Sequence, residues 1–195
     1  ENANDVDRLQ PEGAVERLAY VDQAVRMIRR ELDPETALIG FSGSPWTLAN
    51  FMMEGGSARE FMGAKRMLYS DPALFERVCA MLSEVIIDYL NLQIRAGVDA
   101  VQIFDTLGGT LAGNQLEEGS LRWIRQIVAG LDPSVPCIVF SKGTRDYVTA
   151  SYLIIWRGIV GKITIVCFLL VDSLVSILQF FHSTKNLKGL VLCFI

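Results

Sequence analysis

Apolar residues recur at helical spacing through several stretches of the 195-residue chain, and three short, nearly continuous apolar runs lie between them. Between Gly13 and Leu32 the positions Val15, Leu18, Ala19, Val25 and Ile28 predict an amphipathic helix. Arg29 and Arg30 suit the negative end of its dipole, and Asp33 and Pro34 stop it. A second helix is expected over Ala58 to Tyr69, with Ser57 as N-cap and Phe61, Ala64 and Leu68 on one face. The longest apolar period runs from Pro72 to about Arg95 through Leu74, Val78, Leu82, Val85, Ile86, Tyr89 and Leu90. Ser70 is its candidate N-cap, Pro72 fits its first turn, and Gly97 stands where a C-terminal stop is expected.

The apolar runs Ala37–Phe41, Val98–Phe104 and Pro136–Phe140 are too short for helices and read as buried strands. Each opens into a polar or glycine-bearing loop: Ser42 to Pro45, Asp105 to Gly113, and Ser141 to Gly143. Trp46 to Met53 then starts a helix that Gly55 and Gly56 end, and Leu116 to Leu131 forms another. Strands separated by helix-length segments predict an α/β fold with a parallel sheet and right-handed crossovers, as an open doubly wound sheet or a barrel. Pattern alone does not choose between them. In both, ligands gather at the C-terminal ends of the strands, which here means the three loops.

Charge divides the chain near residue 150. Residues 1–150 carry 14 basic and 21 acidic side chains, and residues 151–195 carry four and one. We therefore read 1–150 as a domain and 151–195 as a hydrophobic tail. A mildly acidic chain without a basic, aromatic-interleaved stretch is not a nucleic-acid binder. Cys79, Cys137, Cys167 and Cys193 have neither zinc-site spacing nor the density of a disulfide scaffold, so reduced thiols and a cytoplasmic location are expected. The polar, acidic start has no secretory n- and h-regions, or is the cut end of a longer protein. Gly40, Gly43, Gly55 and Gly56 do not form a nucleotide-binding spacing and read as turn residues.

Two segments carry a more specific signal. Leu38-Ile-Gly-Phe-Ser-Gly-Ser-Pro-Trp-Thr-Leu-Ala-Asn-Phe-Met-Met-Glu-Gly-Gly56 resembles the signature of the uroporphyrinogen decarboxylase family, and Gln102-Ile-Phe-Asp-Thr-Leu-Gly-Gly109 resembles its second signature. The likeness continues through Lys65–Pro72, Asn91–Gly97 and Ile124–Gly130 and spans roughly residues 14–143. It implies part of a (β/α)8 TIM barrel, a homodimer, no metal and no organic cofactor, with uroporphyrinogen as substrate. The implied reaction is stepwise loss of carbon dioxide from four acetate side chains. A protonated pyrrole is its own electron sink, so the protein need only bind carboxylates, hold pyrrole NH groups and manage protons.

By the resemblance, Thr106 occupies a substrate-contacting Ser or Thr position, where its hydroxyl either binds a substrate carboxylate or caps its own loop. Phe51 falls at a family tyrosine position and lacks the hydroxyl, a loss worth ~1.5 to 3 kcal/mol if that bond is to a charged group. Asp105 is expected to order its loop rather than act as a general acid. Trp46, Met52 and Met53 read as core more than as pocket lining. The family's arginine, aspartate and histidine motifs have no counterparts in these residues, so no catalytic residue is assigned. His182 is a bystander.

After about Ala150 the resemblance stops. Ile163 to Phe181 approaches the length of a membrane span, but Asp172 sits mid-segment at a cost of ~2.5 to 3.5 kcal/mol. A non-native extension is the preferred reading, with a membrane span through the tail as the other. Two further functional readings stand beside the decarboxylase. A corrinoid or thiol methyltransferase of the same superfamily would need a zinc-binding His-x-Cys pair, which the sequence lacks. A catalytically dead truncated product or interaction module would follow from an open half-barrel with exposed strand edges.

Overall fold

The computed structural model describes residues 3–55, 61–144 and 190–192. The chain opens with two short helices, α1 (Ala3–Asp7) and α2 (Ala14–Arg17), followed by α3 (Ala19–Glu31). The single helix expected over 13–32 is thus broken at Leu18, whose backbone leaves helical geometry. Arg29 does more than complement the dipole. Its guanidinium donates to the carbonyls of Asp33 and Thr36 and pairs with Asp99 at 2.9 Å, tying the end of α3 to the start of a strand.

Strand β1 (Ala37–Gly43) leads through Ser44 into α4 (Pro45–Glu54). Ser44 caps α4 by accepting from the Thr47 N–H at 3.1 Å, and Gly55 ends it in the left-handed conformation at φ 70°. Next come α5 (Gly63–Ser70) and the long α6 (Pro72–Ala96). The helix expected from Ala58 begins only at Gly63, after the non-helical Phe61 and Met62, so its cap is Met62 and not Ser57, which lies outside the described residues. The cap of α6 is Asp71 rather than Ser70: its carboxylate accepts from the Leu74 N–H at 3.1 Å, and Ser70 still belongs to α5. Gly97 at φ 109° closes α6 where the pattern placed its end.

Strand β2 (Ala100–Asp105) is followed by a 3-10 turn, Gly108–Thr110. The helix expected over 116–131 runs from Asn114 to Gly130 as α7 (Asn114–Leu116), one π turn (Glu117–Leu121) and α8 (Arg122–Gly130). Strand β3 (Cys137–Ser141) and a three-residue β4 (Leu190–Leu192) complete the described elements. β4 belongs to the tail and was not foreseen. The rest of the tail, including the apolar stretch 163–181 and His182, lies outside the described residues. Among the described residues no helix is long and apolar enough to cross a membrane.

All strand pairs are parallel, in the order β3-β2-β1-β4. From β1 to β3 each strand pairs with the one before it and the sheet advances in a single direction. Successive strands of a (β/α)8 barrel advance in this way, and so does each half of a doubly wound sheet; β4, on the other side of β1, reverses the direction. The described strands thus form a partial parallel α/β sheet with helical connections, the class expected of part of a (β/α)8 barrel. Alternation gives the sheet two faces. Leu38, Val101, Ile103, Cys137 and Val139 join the core with Val21 and Val25 of α3, Val78, Leu82, Ile86 and Leu90 of α6, and Ile124 and Ile127 of α8. Each fully buried apolar side chain contributes roughly 1.5–3 kcal/mol relative to exposure. On the opposite face, Phe41, Phe104 and Phe140 form a cross-strand ladder of edge-to-face rings at 5.7 and 5.8 Å.

One helix side chain takes the place of a strand. The Gln93 amide on α6 accepts from the Phe41 N–H at 3.0 Å and donates to the Phe41 carbonyl at 3.1 Å, the two bonds a neighbouring parallel strand would make. Gly40 permits this, because a Cβ there would collide with the Gln93 amide oxygen.

Candidate functional site at the strand ends

The three loops singled out in the sequence meet at the C-terminal end of the sheet. Gly43 is in register with Phe104, and Asp105 with Ser141, so β1, β2 and β3 finish side by side. The Ser44 N–H donates to the Phe104 carbonyl at 2.8 Å, and the Gly109 N–H to the Lys142 carbonyl at 2.8 Å. The second contact brings two backbones together: a Cβ on Gly109 would stand 2.6 Å from the Lys142 oxygen and 2.8 Å from the Gly143 Cα. Trp46 is fully buried, and its indole N–H donates to the Leu107 carbonyl at 3.0 Å. The start of α4 thus holds the loop after β2.

Asp105 is the centre of this assembly. It is fully buried, and its Oδ1 accepts from the Ser44 hydroxyl at 2.6 Å. Its Oδ2 accepts from the Ser120 hydroxyl at 2.8 Å and the Ser141 hydroxyl at 3.0 Å. Burial pushes its carboxyl above the ordinary carboxylate range, while the hydroxyls of Ser44, Ser120, Ser141 and Thr47 pull it back. Ser120 lies in the π turn. Such turns often mark functional positions in helices. Gly108 packs so close to the carboxylate and to Ser141 that a Cβ would strike both. Both oxygens being committed to hydroxyls on the helix side of the sheet, Asp105 orders three loops and is not aimed at a ligand. Sequence reasoning singled out Asp105 but missed Ser120. Its only signal was a small polar residue between the apolar positions Leu116 and Leu121.

Thr106, the next residue, is exposed, and its hydroxyl has no hydrogen-bond partner among the described residues. The loop-capping bond comes instead from Thr110, whose hydroxyl donates to the Leu107 carbonyl at 2.6 Å. Phe51 on α4 is 39% exposed and stands edge-on to Phe61 at 5.1 Å. Thr106 and Phe51 follow adjacent strands at one end of the sheet, with no hydrogen bond or ring contact between them. Of the aromatic and methionine residues weighed as core, Trp46 is interior, Met53 packs partly against the core, and Met52 is exposed. Cys79 is buried, Cys137 is half-buried, and both are free thiols. Burial pushes the Cys137 thiol up to about 12 and that of Cys79 higher still. Cys167 and Cys193 lie outside the described residues.

Residues 1–158 match the profile of the family described as Uroporphyrinogen decarboxylase (URO-D). The chain belongs to the uroporphyrinogen decarboxylase family. The match is wider at both ends than the 14–143 carried by the motifs. The uroporphyrinogen decarboxylase of Cellvibrio japonicus is 50% identical over 151 residues, which are 75% of this chain and 42% of the relative. That of Edwardsiella ictaluri is 47% identical over 151 residues, covering 75% and 43%. That of Thioalkalivibrio sulfidiphilus is 51% identical over 131 residues, covering 65% and 37%. The chain thus spans about two fifths of the length of these relatives. Among solved structures, a methyltransferase from Methanosarcina mazei superposes with a TM-score of 0.58 at 18% identity, covering 70% of this chain and 39% of that one. At that identity the likeness concerns the fold alone.

Proposed function

We propose that the protein to which this stretch of the uroporphyrinogen decarboxylase family corresponds converts uroporphyrinogen III to coproporphyrinogen III by decarboxylating four acetate side chains. The observation that carries this reading is the convergence of both family signatures on one end of a parallel sheet, with Thr106 exposed there and the Phe41–Phe104–Phe140 ladder beneath. Thr106 is read as a donor to a substrate carboxylate and Phe51 as an aromatic wall that lacks its phenol. In each step a pyrrole carbon is protonated, the C–C bond to the carboxylate breaks, and its electrons pass into the ring as carbon dioxide leaves. The methylene left behind takes a proton and the ring gives one up. The chain's own residues bind and orient, and the proton-handling groups belong to parts of the relatives that this chain does not span. Turnover by these 195 residues alone is therefore expected to be weak or nil, and the residues beyond the family match, which ends at 158, are read as a tail of separate origin. The intact protein is read as a cytoplasmic homodimer that uses no cofactor.

The direct test is anaerobic incubation of the purified chain with uroporphyrinogen III, alone and mixed with the part of the Cellvibrio japonicus relative that it does not match. Chromatography of the oxidised porphyrins reports the products. Coproporphyrin from the mixture supports the reading. Its absence, with binding of uroporphyrin also undetectable, refutes it.

A further inference from the structure

The loop after β3 holds an exposed cation, Lys142. Lys142 follows the last residue of β3, and its N–H donates to the Asp105 carbonyl at 3.3 Å, so the β2–β3 ladder continues one step past the Asp105–Ser141 pair. The next register position sets Lys142 beside Thr106. Both residues lie in the turns that follow their strands and both are exposed, one position past Asp105 and Ser141, at the end of the sheet where Phe104 and Phe140 are in register. The Lys142 ammonium makes no ion pair or hydrogen bond among the described residues. Lys65 on α5, by contrast, donates to the Thr110 carbonyl at 3.0 Å. The carbonyl of Lys142 is anchored by Gly109, which fixes the backbone from which the side chain rises. Further down the sheet lies Gln102, 2% exposed and in register with Phe41 and Ile138.

An ammonium and a hydroxyl without partners among the described residues, at the rim of a half-buried aromatic ladder, match a flat apolar ring with carboxylates on its periphery. We propose that Lys142 is a substrate-binding residue: its ammonium, together with the Thr106 hydroxyl, receives one peripheral carboxylate of a macrocycle lying against Phe104 and Phe140. This rests on the functional reading above and adds to it the group that neutralises a carboxylate in these loops. Lysine suits the position because a compact point charge on a flexible stem can follow a carboxylate whose reach shortens as acetates become methyls.

The test is equilibrium binding of uroporphyrin, the air-stable oxidised form of the proposed substrate, to the full chain by fluorescence titration at low and moderate salt. Lys142→Met and Lys142→Gln are compared with Arg26→Gln, which removes the same charge from the far helix α3. Lys142→Met and Lys142→Gln should bind about three- to tenfold more weakly with a shallower salt dependence, Lys142→Arg should recover most of the loss, and Arg26→Gln should stay within about twofold of the parent. On the unmodified chain, saturating uroporphyrin should protect Lys142 from acetylation, read by peptide mass mapping. If the parent binds and both neutral variants bind equally well, or Lys142 is not protected, the assignment falls and the functional reading stands. If the parent does not bind uroporphyrin at micromolar concentrations, both fall.

Discussion

Replacing Asp105 separates two contributions that the buried cluster combines. Asp105→Ala removes the acceptor of three hydroxyls, those of the buried Ser44 and Ser120 and the half-buried Ser141. A buried donor left without a partner costs about 1–3 kcal/mol, and since hydroxyls can rotate toward one another we expect a loss of about 2–4 kcal/mol rather than the full sum. Asp105→Asn keeps the shape and one carbonyl acceptor, and its NH2 can donate to a serine that turns round. That variant should lie within about 1 kcal/mol of the parent near neutral pH. The pH dependence follows from burial raising the carboxyl. Between the unfolded value of ~3.9 and the raised folded value, the folded state holds more protons than the unfolded one. Stability therefore falls as pH rises through that window, by at most about 1.4 kcal/mol per pH unit, and is level above it. The asparagine variant lacks this fall and should gain on the parent as pH rises from 4. Urea unfolding followed by far-UV circular dichroism from pH 4 to 8 measures all three proteins. The reasoning is refuted if asparagine costs as much as alanine, or if the parent and asparagine curves run parallel.

Three further outcomes follow from the packing. Gly40→Ala should displace the Gln93 amide and cost about 1–3 kcal/mol, but much less in a Gln93→Ala background, so a double-mutant cycle in urea should show coupling of about 1 kcal/mol. Additive effects would mean that the amide does not occupy the Gly40 face. Gly109→Ala should lower the urea midpoint by the equivalent of about 2 kcal/mol or more, because its Cβ meets backbone that cannot swing away; Gly55→Ala, with open space but φ 70°, should cost only about 1 kcal/mol. Equal midpoints would contradict the close approach of the two loops. With a thiol pKa of about 12, Cys137 should be thiolate in only about one part in ten thousand at pH 8, so iodoacetamide should label it far more slowly in the folded chain than in urea, as read by peptide mass mapping. Comparable rates would place Cys137 outside the core.

Much of the architecture is legible in the order of residues because it rests on local rules. The α6 period, the stop at Gly97 and the apolar strand runs each need only near neighbours in sequence, and each lies where the pattern puts it, to within a residue or two. The misreadings are also local. Asp71 outcompetes Ser70 for the cap because Ser70 still serves the preceding helix, and Leu18 breaks a helix whose apolar period runs straight through. The family is legible for a different reason: two signatures in the right order carry more information than any period.

What the chain order could not supply is long-range pairing. Which strand lies beside which, β4 next to β1 for instance, is announced by no apolar run, since a barrel and a doubly wound sheet bury the same runs. Asp105 alone is ambiguous between acid and brace; three hydroxyls from positions 44, 120 and 141 settle it, brought together by strand register and by one π turn. In the same way Lys142 is an ordinary charged residue until the ladder sets it beside Thr106. Periodicity and signatures determined which elements form and which family they belong to. Register, a quantity set by contacts between residues tens of positions apart, decided which side chains share a face and so which of them can meet a ligand.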